Sequence, residues 1–409
     1  MEEKLHNNGF SSSIKKGLNT VGQAFKKAWK AFVKFTKNGT VRYVTKRILS
    51  SCLTIVLLIA VIVCLIRLLP ETSFYDVKQY DKILGQLGVD NNGEGLGKIA
   101  ADRYKYSQLF KYGITDINGN KYTALYSIGQ YLYNILPFPK EIVTIWSTDY
   151  STALETKTYW VYFGHSTKYA KPVVDLMFEN NGYPNQTRMG ISFTISIITT
   201  LLTYLISVPF GIAMAKKPGG LVDKIGNVFI VLNYAIPALV FYLIMNSVLG
   251  NPNGIFGDFI FGFLYKGEWH QLIPPIFCVV FLSIPGLAIW IRRFMIDELT
   301  SEYVKFARSK GLSEGKIMYT HVLRNAMIPL VRNIPGTFLG AIVGSYYIET
   351  IWGIPGTGIL LTTALSAADL DIPVVQGLTI IYAAISMISF LLGDLITVFF
   401  DPRIKLTSN

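Results

Sequence analysis

The chain has 409 residues, of which 51% are hydrophobic and 16% charged, with a mean hydropathy of +0.38; that balance points away from a soluble protein and towards the lipid bilayer as solvent. The formal net charge of +12 is not a nucleic-acid footprint, since eleven of the 38 basic residues precede Ser50 against two acidic ones, the asymmetry of a cytoplasmic flank. The three cysteines, Cys52, Cys64 and Cys278, all fall in apolar runs, so no disulfide framework is expected.

In the basic N-terminal segment, residues 1–47, Ile14, Leu18, Val21, Phe25, Ala28, Phe32 and Phe35 recur at three- and four-residue steps with lysines between them. This is the pattern of an interfacial amphipathic helix. A basic tail with helical propensity fits equally, and either would be drawn to anionic membrane lipid on the inner leaflet. The first apolar run, 48–69, lies too far from the start and is too long for a cleaved signal. It reads as a retained first span.

The segment 70–187 is rich in Tyr and Trp, and Thr158–Phe163 has the composition of a strand. A small folded subdomain of helices and short strands is expected, with a long, partly ordered loop as the plainer reading. Its aromatics, Trp146 and Trp160 among them, suit a docking surface and a small core alike.

A spanning helix needs roughly 20 apolar residues to cross about 30 Å of hydrocarbon. Six stretches qualify: Ile48 to Leu69, Gly190 to Ala215, Asn227 to Leu249, Leu272 to Ile291, Ala326 to Trp352 and Val374 to Phe400. The region 188–409 is thus a five-span core. Lys and Arg concentrate before Ile48, between Lys216 and Lys224, and between Arg292 and Arg324, whereas Gly353 to Pro373 has none. By the positive-inside rule both termini and the loop 292–325 are cytoplasmic, and segment 70–187 is outside.

No catalytic or metal-binding constellation is present in the sequence: His6, His165, His270 and His321 fall on separate segments. The run Gly353 to Gly358 has the glycine spacing of a phosphate loop, but Ile359 stands where the phosphate-reaching lysine belongs. ATP would have to be used by a partner.

The loop between the fourth and fifth spans is the most informative segment. Glu302 to Lys310 reads as a short helix stopped at Gly311, and Ser313 stands where it would cap a second one, with Glu314 in its first turn and Lys316 beyond. The result is a helix, a sharp turn and a helix projecting into the cytoplasm, a knob that a motor domain could grip.

This segment resembles the cytoplasmic coupling loop of binding-protein-dependent ABC importers, in the version found in oligopeptide and dipeptide permeases. The residues that carry the likeness are Tyr303, Val304, Ala307, Arg308, Lys310, Gly311, Leu312, Ser313, His321, Arg324, Asn325, Ala326 and Pro329. The wider importer family begins the triplet before the glycine with Glu-Ala-Ala, whereas Lys305-Phe306-Ala307 keeps only the last alanine, a departure shared by the peptide branch. Arg67 to Pro70, Phe163 to Ser166, Glu349 to Gly358, Asp371 to Gly377 and Asp401 to Ile404 agree with the same branch, and Gly85 to Lys157 has no counterpart there.

The resemblance implies an all-α membrane protein with the six transmembrane helices of the type I ABC importer permease fold and an α+β extracellular insertion between the first two spans. It implies a non-catalytic subunit of a bacterial plasma-membrane importer of oligopeptides. Its partners would be a second homologous permease, two ABC ATPase subunits and an extracellular or periplasmic peptide-binding protein. A same-family permease for dipeptides, glutathione or nickel would share these motifs, while a stand-alone secondary transporter would have no need of a coupling loop. Charges within spans are costly, so Arg332, Glu349 and Asp394 stand out: Arg332 or Glu349 reads as lining a translocation path, or each of the three sits near a membrane end and snorkels or pairs with the neighbouring subunit. Pro237, Pro285 with Gly286, and Pro335 with Gly336 are expected to break helices, as packing kinks or as hinges of a gate.

Overall fold

A computed structural model describes residues 39–87, 95–116, 118–146, 153–166, 168–169, 171–179, 187–250, 269–366 and 370–400. The amphipathic segment 14–35 and the motif Asp401 to Ile404 lie outside the described residues. The chain runs α1 (Gly39–Arg67), α2 (Val77–Leu87), α3 (Leu96–Lys111), α4 (Ala124–Ile135), β1 (Lys140–Trp146), β2 (Ala153–Tyr159), α5 (Val173–Phe178) and α6 (Arg188–Lys216). It continues through α7 (Leu221–Ala235), α8 (Ala238–Leu249), α9 (Ile273–Leu299), α10 (Glu302–Ser309), α11 (Glu314–Lys316), α12 (Leu323–Ala326), α13 (Ile328–Ile351), α14 (Thr357–Ala364) and α15 (Ile372–Phe400).

Among the described residues four helices are long and apolar enough to cross a membrane: Tyr43–Arg67 of α1, then α6, α9 and Ile372–Ile396 of α15. The count rises to six when each of two bent pairs is one span: α7 with α8, bent by 91°, and the segment Glu314–Ala326 with α13, bent by 51°. The third expected span, Asn227 to Leu249, is therefore not one helix. Ile236 is extended, with ψ 118°, and Pro237 begins α8, because a proline cannot donate to the preceding turn and disfavours the helical region for its neighbour.

Pro285 and Pro335 behave differently from expectation, for both stay inside continuous helices, α9 and α13. At Pro285 the reason is visible. The carbonyl of Phe281, four residues earlier, loses its partner to the proline and instead accepts a 3.1 Å hydrogen bond from the amide of Asn233 on α7. A neighbouring side chain has replaced the missing N–H, which is how an apolar environment tolerates an interior proline.

The segment between α1 and α6 is folded. β1 and β2 pair antiparallel, with Lys140 opposite Tyr159. The strand expected at Thr158 to Phe163 ends at Tyr159, since the next residues turn to serve α4: Tyr162 N–H donates to Asn134 C=O (2.9 Å) and the Trp160 carbonyl accepts from Lys140 Nζ (3.1 Å). Two polar ties fasten this subdomain to the spans, from Arg67 and to Asp371, and a third at Glu71 holds the chain leaving α1 to α3. The Arg67 guanidinium, at the end of α1, donates to Tyr122 C=O (2.7 Å) and Ser127 Oγ (2.6 Å). Glu71 pairs with Lys105 and Lys121, each at 2.7 Å, and hydrogen bonds from those two ammonium groups hold its carboxyl down at about 2. Ser166 Oγ donates to the buried Asp371 just before α15.

Candidate functional site

The loop 292–325 is rooted before it projects. α9 runs on through Thr300 into α10, and Val304, Ala307, Ile317, Met318 and Val322 form one apolar cluster with Ile212 and Ala215 of α6 and Ile291 and Met295 of α9. Burial of these side chains stabilises the foot by roughly 1.5 to 3 kcal/mol for each large one. Arg292 staples the neighbouring turn, its Nη2 donating to Asp223 Oδ2 at 2.8 Å near the start of α7.

α10 stops as its sequence requires. Gly311 has φ +77°, Leu312 N–H reaches back to Ala307 C=O (3.3 Å) and Gly311 N–H to Arg308 C=O (2.9 Å), with Leu312 packed on the same cluster. This is a Schellman turn, and it needs a residue at ease with positive φ. Ser313 takes the cap position of α11 with ψ 145°, but its side chain makes no cap hydrogen bond. In its place, Glu314 receives Arg308 Nε (2.7 Å) and Nη2 (3.2 Å) across the turn, and that guanidinium holds the Glu314 carboxyl below its usual range. The second short helix expected after Ser313 is longer than its sequence signal: α11 continues through a π-helical turn, Ile317–Val322, into α12.

Of the residues singled out here, Arg308, Lys310, Gly311, Ser313, Glu314, Lys316 and Arg324 are exposed, Tyr303, Leu312, His321 and Asn325 half-buried, and Ala307 buried. Tyr303 Oη donates to Glu298 Oε2 (2.6 Å), and burial followed by that bond raises its pKa. Lys310 Nζ sits 4.4 Å above the exposed Phe306 ring. The face presented outward is thus basic and aromatic over a rigid apolar foot.

A cavity of about 620 Å³ lies between α6, α7, α8, α9 and α13. Its polar lining is hydroxyl and amide and includes Thr199, Thr203, Tyr204, Ser283, Asn333 and Thr337, beside the rings of Trp290 and Phe294. None of its lining residues is Asp, Glu, Lys or Arg. The four candidate pore or gate residues stand outside that lining, although the neighbours Gly286 and Asn333 belong to it.

Arg332 donates to Asp394 Oδ1 on α15 (3.0 Å), and the same carboxylate accepts from Tyr43 Oη (2.9 Å) and pairs with Arg47 Nε (3.1 Å) on α1. Glu349 is fully buried; it accepts Ser345 Oγ (2.7 Å) and the N–H of Gly358 (2.6 Å) at the start of α14. The N-terminus of α14 is therefore capped, through Gly358, by the chain's own Glu349 carboxyl. Sequence reasoning missed the hydroxyl lining of the cavity. Its signal was present, as Thr199 and Thr203 of the lining belong to a buried stripe, Ser192, Ser196, Thr199, Thr203 and Ser207, that recurs at three- and four-residue steps along an otherwise apolar span.

Residues 207–406 match the family described as "Binding-protein-dependent transport system inner membrane component". The oligopeptide transport system permease protein AmiC of Streptococcus pneumoniae is 38% identical over 232 residues, 56% of this chain and 44% of AmiC. The chain thus spans less than half the length of that relative. The dipeptide transport system permease protein DppB of Lactococcus lactis is 30% identical over 257 residues, 61% of this chain and 80% of DppB, and AppB of Bacillus subtilis, an oligopeptide transport system permease protein, is 31% identical over 224 residues and 70% of its own length. Among solved structures, the inward-facing MetNI methionine ABC transporter aligns over 52% of this chain and 93% of its own with a TM-score of 0.40 and 14% identity. On the likeness to DppB, AppB and the family as a whole, the chain belongs to the binding-protein-dependent transport system inner membrane components and has the membrane-spanning helical architecture of a permease.

Proposed function

We propose that the chain is one of two homologous permease subunits of an ATP-driven importer of oligopeptides, delivered by an extracellular or periplasmic binding protein. The observation that carries this reading is continuity: α6 and α9 line the 620 Å³ cavity at one level and root the exposed knob around Gly311 at another. A push on the knob by a partner ATPase would move the cavity's walls as a body, converting between inward- and outward-facing states. The chain itself makes and breaks no covalent bond. A mostly apolar cavity with aliphatic and aromatic walls, several hydroxyls and one amide suits backbone amides of a peptide whatever its side-chain charge.

In this reading the knob is cytoplasmic, the subdomain between α1 and α6 receives the binding protein, and Arg332, Glu349, Pro237 and Pro285 support the path from behind its lining. The experiment is reconstitution of the co-purified complex in vesicles with labelled peptides and with ligands recovered from its binding protein. Uptake that needs both ATP and the binding protein is expected; uptake driven by an ion gradient without ATP would replace this reading with a secondary transporter. In a cysteine-free background, cysteines at Ser313 and Ser147 should label from opposite faces of intact cells, and labelling of both by an impermeant reagent from outside would overturn the topology.

A further inference from the structure

α4 is apolar on two faces at once. Ile128, Tyr131, Leu132 and Ile135 pack inward with Ile59 and Val63 of α1, while Leu125, Tyr126 and Tyr133 face outward, followed by Leu136 and Phe138 in the next turn and Trp160 beside them. Leu125 is 82% exposed and Trp160 65%. From Tyr122 to Pro139 no residue is charged. A helix that buries one apolar face and turns a second outward has no stable place for the second in water, and an aqueous patch of this kind requires a cover.

Two further features specify the cover. The patch is tied to the end of α1, where Val61 and Leu65 and, just past the last residue of the helix, Leu68 are exposed apolar side chains around Arg67, and Arg67 itself holds the first turn of α4 through Tyr122, Thr123 and Ser127. The patch therefore sits at the level where the first span leaves the hydrocarbon. Lys140, which follows the patch in sequence and is 5% exposed, is turned inward: its ammonium lies within hydrogen-bond distance of the carbonyls of Asn134 (3.1 Å), Leu136, Phe138 (3.1 Å) and Trp160 (3.1 Å) and over the Tyr133 ring. The ammonium satisfies the backbone of the Leu136 to Pro139 turn from within, which a turn entering lipid requires because no water is there to do it. Tyr and Trp are the residue types that settle at the bilayer interface.

We propose that α4 and the Leu136 to Pro139 turn lie in the headgroup-to-acyl boundary of the leaflet in which α1 ends, as an in-plane anchor that fixes the subdomain over the spans. The proposal rests on α1 being a membrane span and not on the identity of the substrate. It assigns the Trp160 face to lipid and leaves α2 and α3 as the water-facing surface for a protein partner.

The test uses the full complex in lipid nanodiscs, with a nitroxide on Phe138→Cys or Leu125→Cys in a chain whose native cysteines are Ala, and on the exposed Lys78→Cys of α2 as the aqueous control. The expected result is a ratio of oxygen to water-soluble nickel-chelate collisions several-fold higher at 138 and 125 than at 78. Equal ratios overturn the proposal. So does a label shielded from both reagents, which would place the second permease on this face, or one that nickel reaches until the binding protein is added. Should the labelled chains misassemble, a chain retaining Trp160 as its sole tryptophan gives the same answer: quenching by brominated phospholipid is expected, and quenching by aqueous iodide alone overturns it.

Discussion

Two corners of this molecule are built with the same device and put to opposite ends. α10 stops at Gly311 with φ +77° and a bond from Leu312 N–H to Ala307 C=O; α13 stops at Gly353 with φ +66° and a bond from Ile354 N–H to Glu349 C=O (2.8 Å). At the first corner the helix that follows is tied by Arg308 and Glu314, both solvent-exposed. At the second the tie is a carboxylate with no exposure, and Ser192 Oγ receives both the N–H and the hydroxyl of Thr357 at 2.9 Å. An exposed ion pair is screened and worth little, whereas a buried polar cluster is costly to leave half-made. The comparison teaches that the backbone turn sets the shape of a corner and burial decides whether it is fixed or can be moved.

The largest effect is expected where the buried corner is broken. A Cβ at Gly358 would meet the Cα of Tyr346 at 2.6 Å and Glu349 Oε2 at 2.7 Å, and neither can step aside. Gly358→Ala should destabilise the protein by about 3 kcal/mol or more, as should Glu349→Ala, which empties a buried site and orphans the N–H of Gly358. Thermal unfolding in detergent measures both; a Gly358→Ala protein that melts with the wild type would show the corner to be adaptable after all.

Gly311 tests the other corner. Its Cβ direction is open space, so Ala and Trp carry the same left-handed strain of about 1 kcal/mol and differ only in what they present outward. Gly311→Ala should keep ATP-dependent uptake at a near wild-type rate, and Gly311→Trp should abolish it while inserting and melting like the Ala variant. Equal loss of uptake in both would mean that strain, and not the contact face, is what matters there.

The architecture was legible where the signal is carried by long apolar runs, because lipid permits so few backbone solutions. The knob was legible because a positive-φ glycine after a short amphipathic helix has one common meaning. What the sequence hid are interactions between segments distant along the chain. Pro285 looks like a break until Asn233 supplies the missing donor, whereas at Pro237 the chain does turn, and the Asn233 carbonyl, four residues earlier, accepts from Ile236 N–H instead. Glu349 looked like a charge in search of a path or a membrane end, and only the approach of α14 shows it held as a cap. The cavity's hydroxyls are individually unremarkable Ser and Thr, and converge only once α6, α9 and α13 are packed.

Glu71 supplies the smallest effect and the control for Glu349, since it is the same residue type with two cationic partners but in contact with water. Its carboxyl is 37% exposed, and Lys121 is 69% exposed, so solvent and salt screen the triad. Its folded pKa of about 2 lies below the ordinary 4.5. The stability it adds is therefore fully present above 4.5 and is lost as pH falls towards 2. After discount for exposure that contribution is at most about 1 kcal/mol. Hydrogen exchange of the α3 amides in the assembled complex should accelerate slightly between pH 5 and pH 3, after correction for the intrinsic rate, and Glu71→Gln should show the faster rate at both. Raising ionic strength at pH 7 should move the wild type towards the variant, because screening acts on the exposed triad and not on a buried cap. If Glu71→Gln instead melted as far below the wild type as Glu349→Ala, burial would not be what separates a fixed tie from a loose one in this protein.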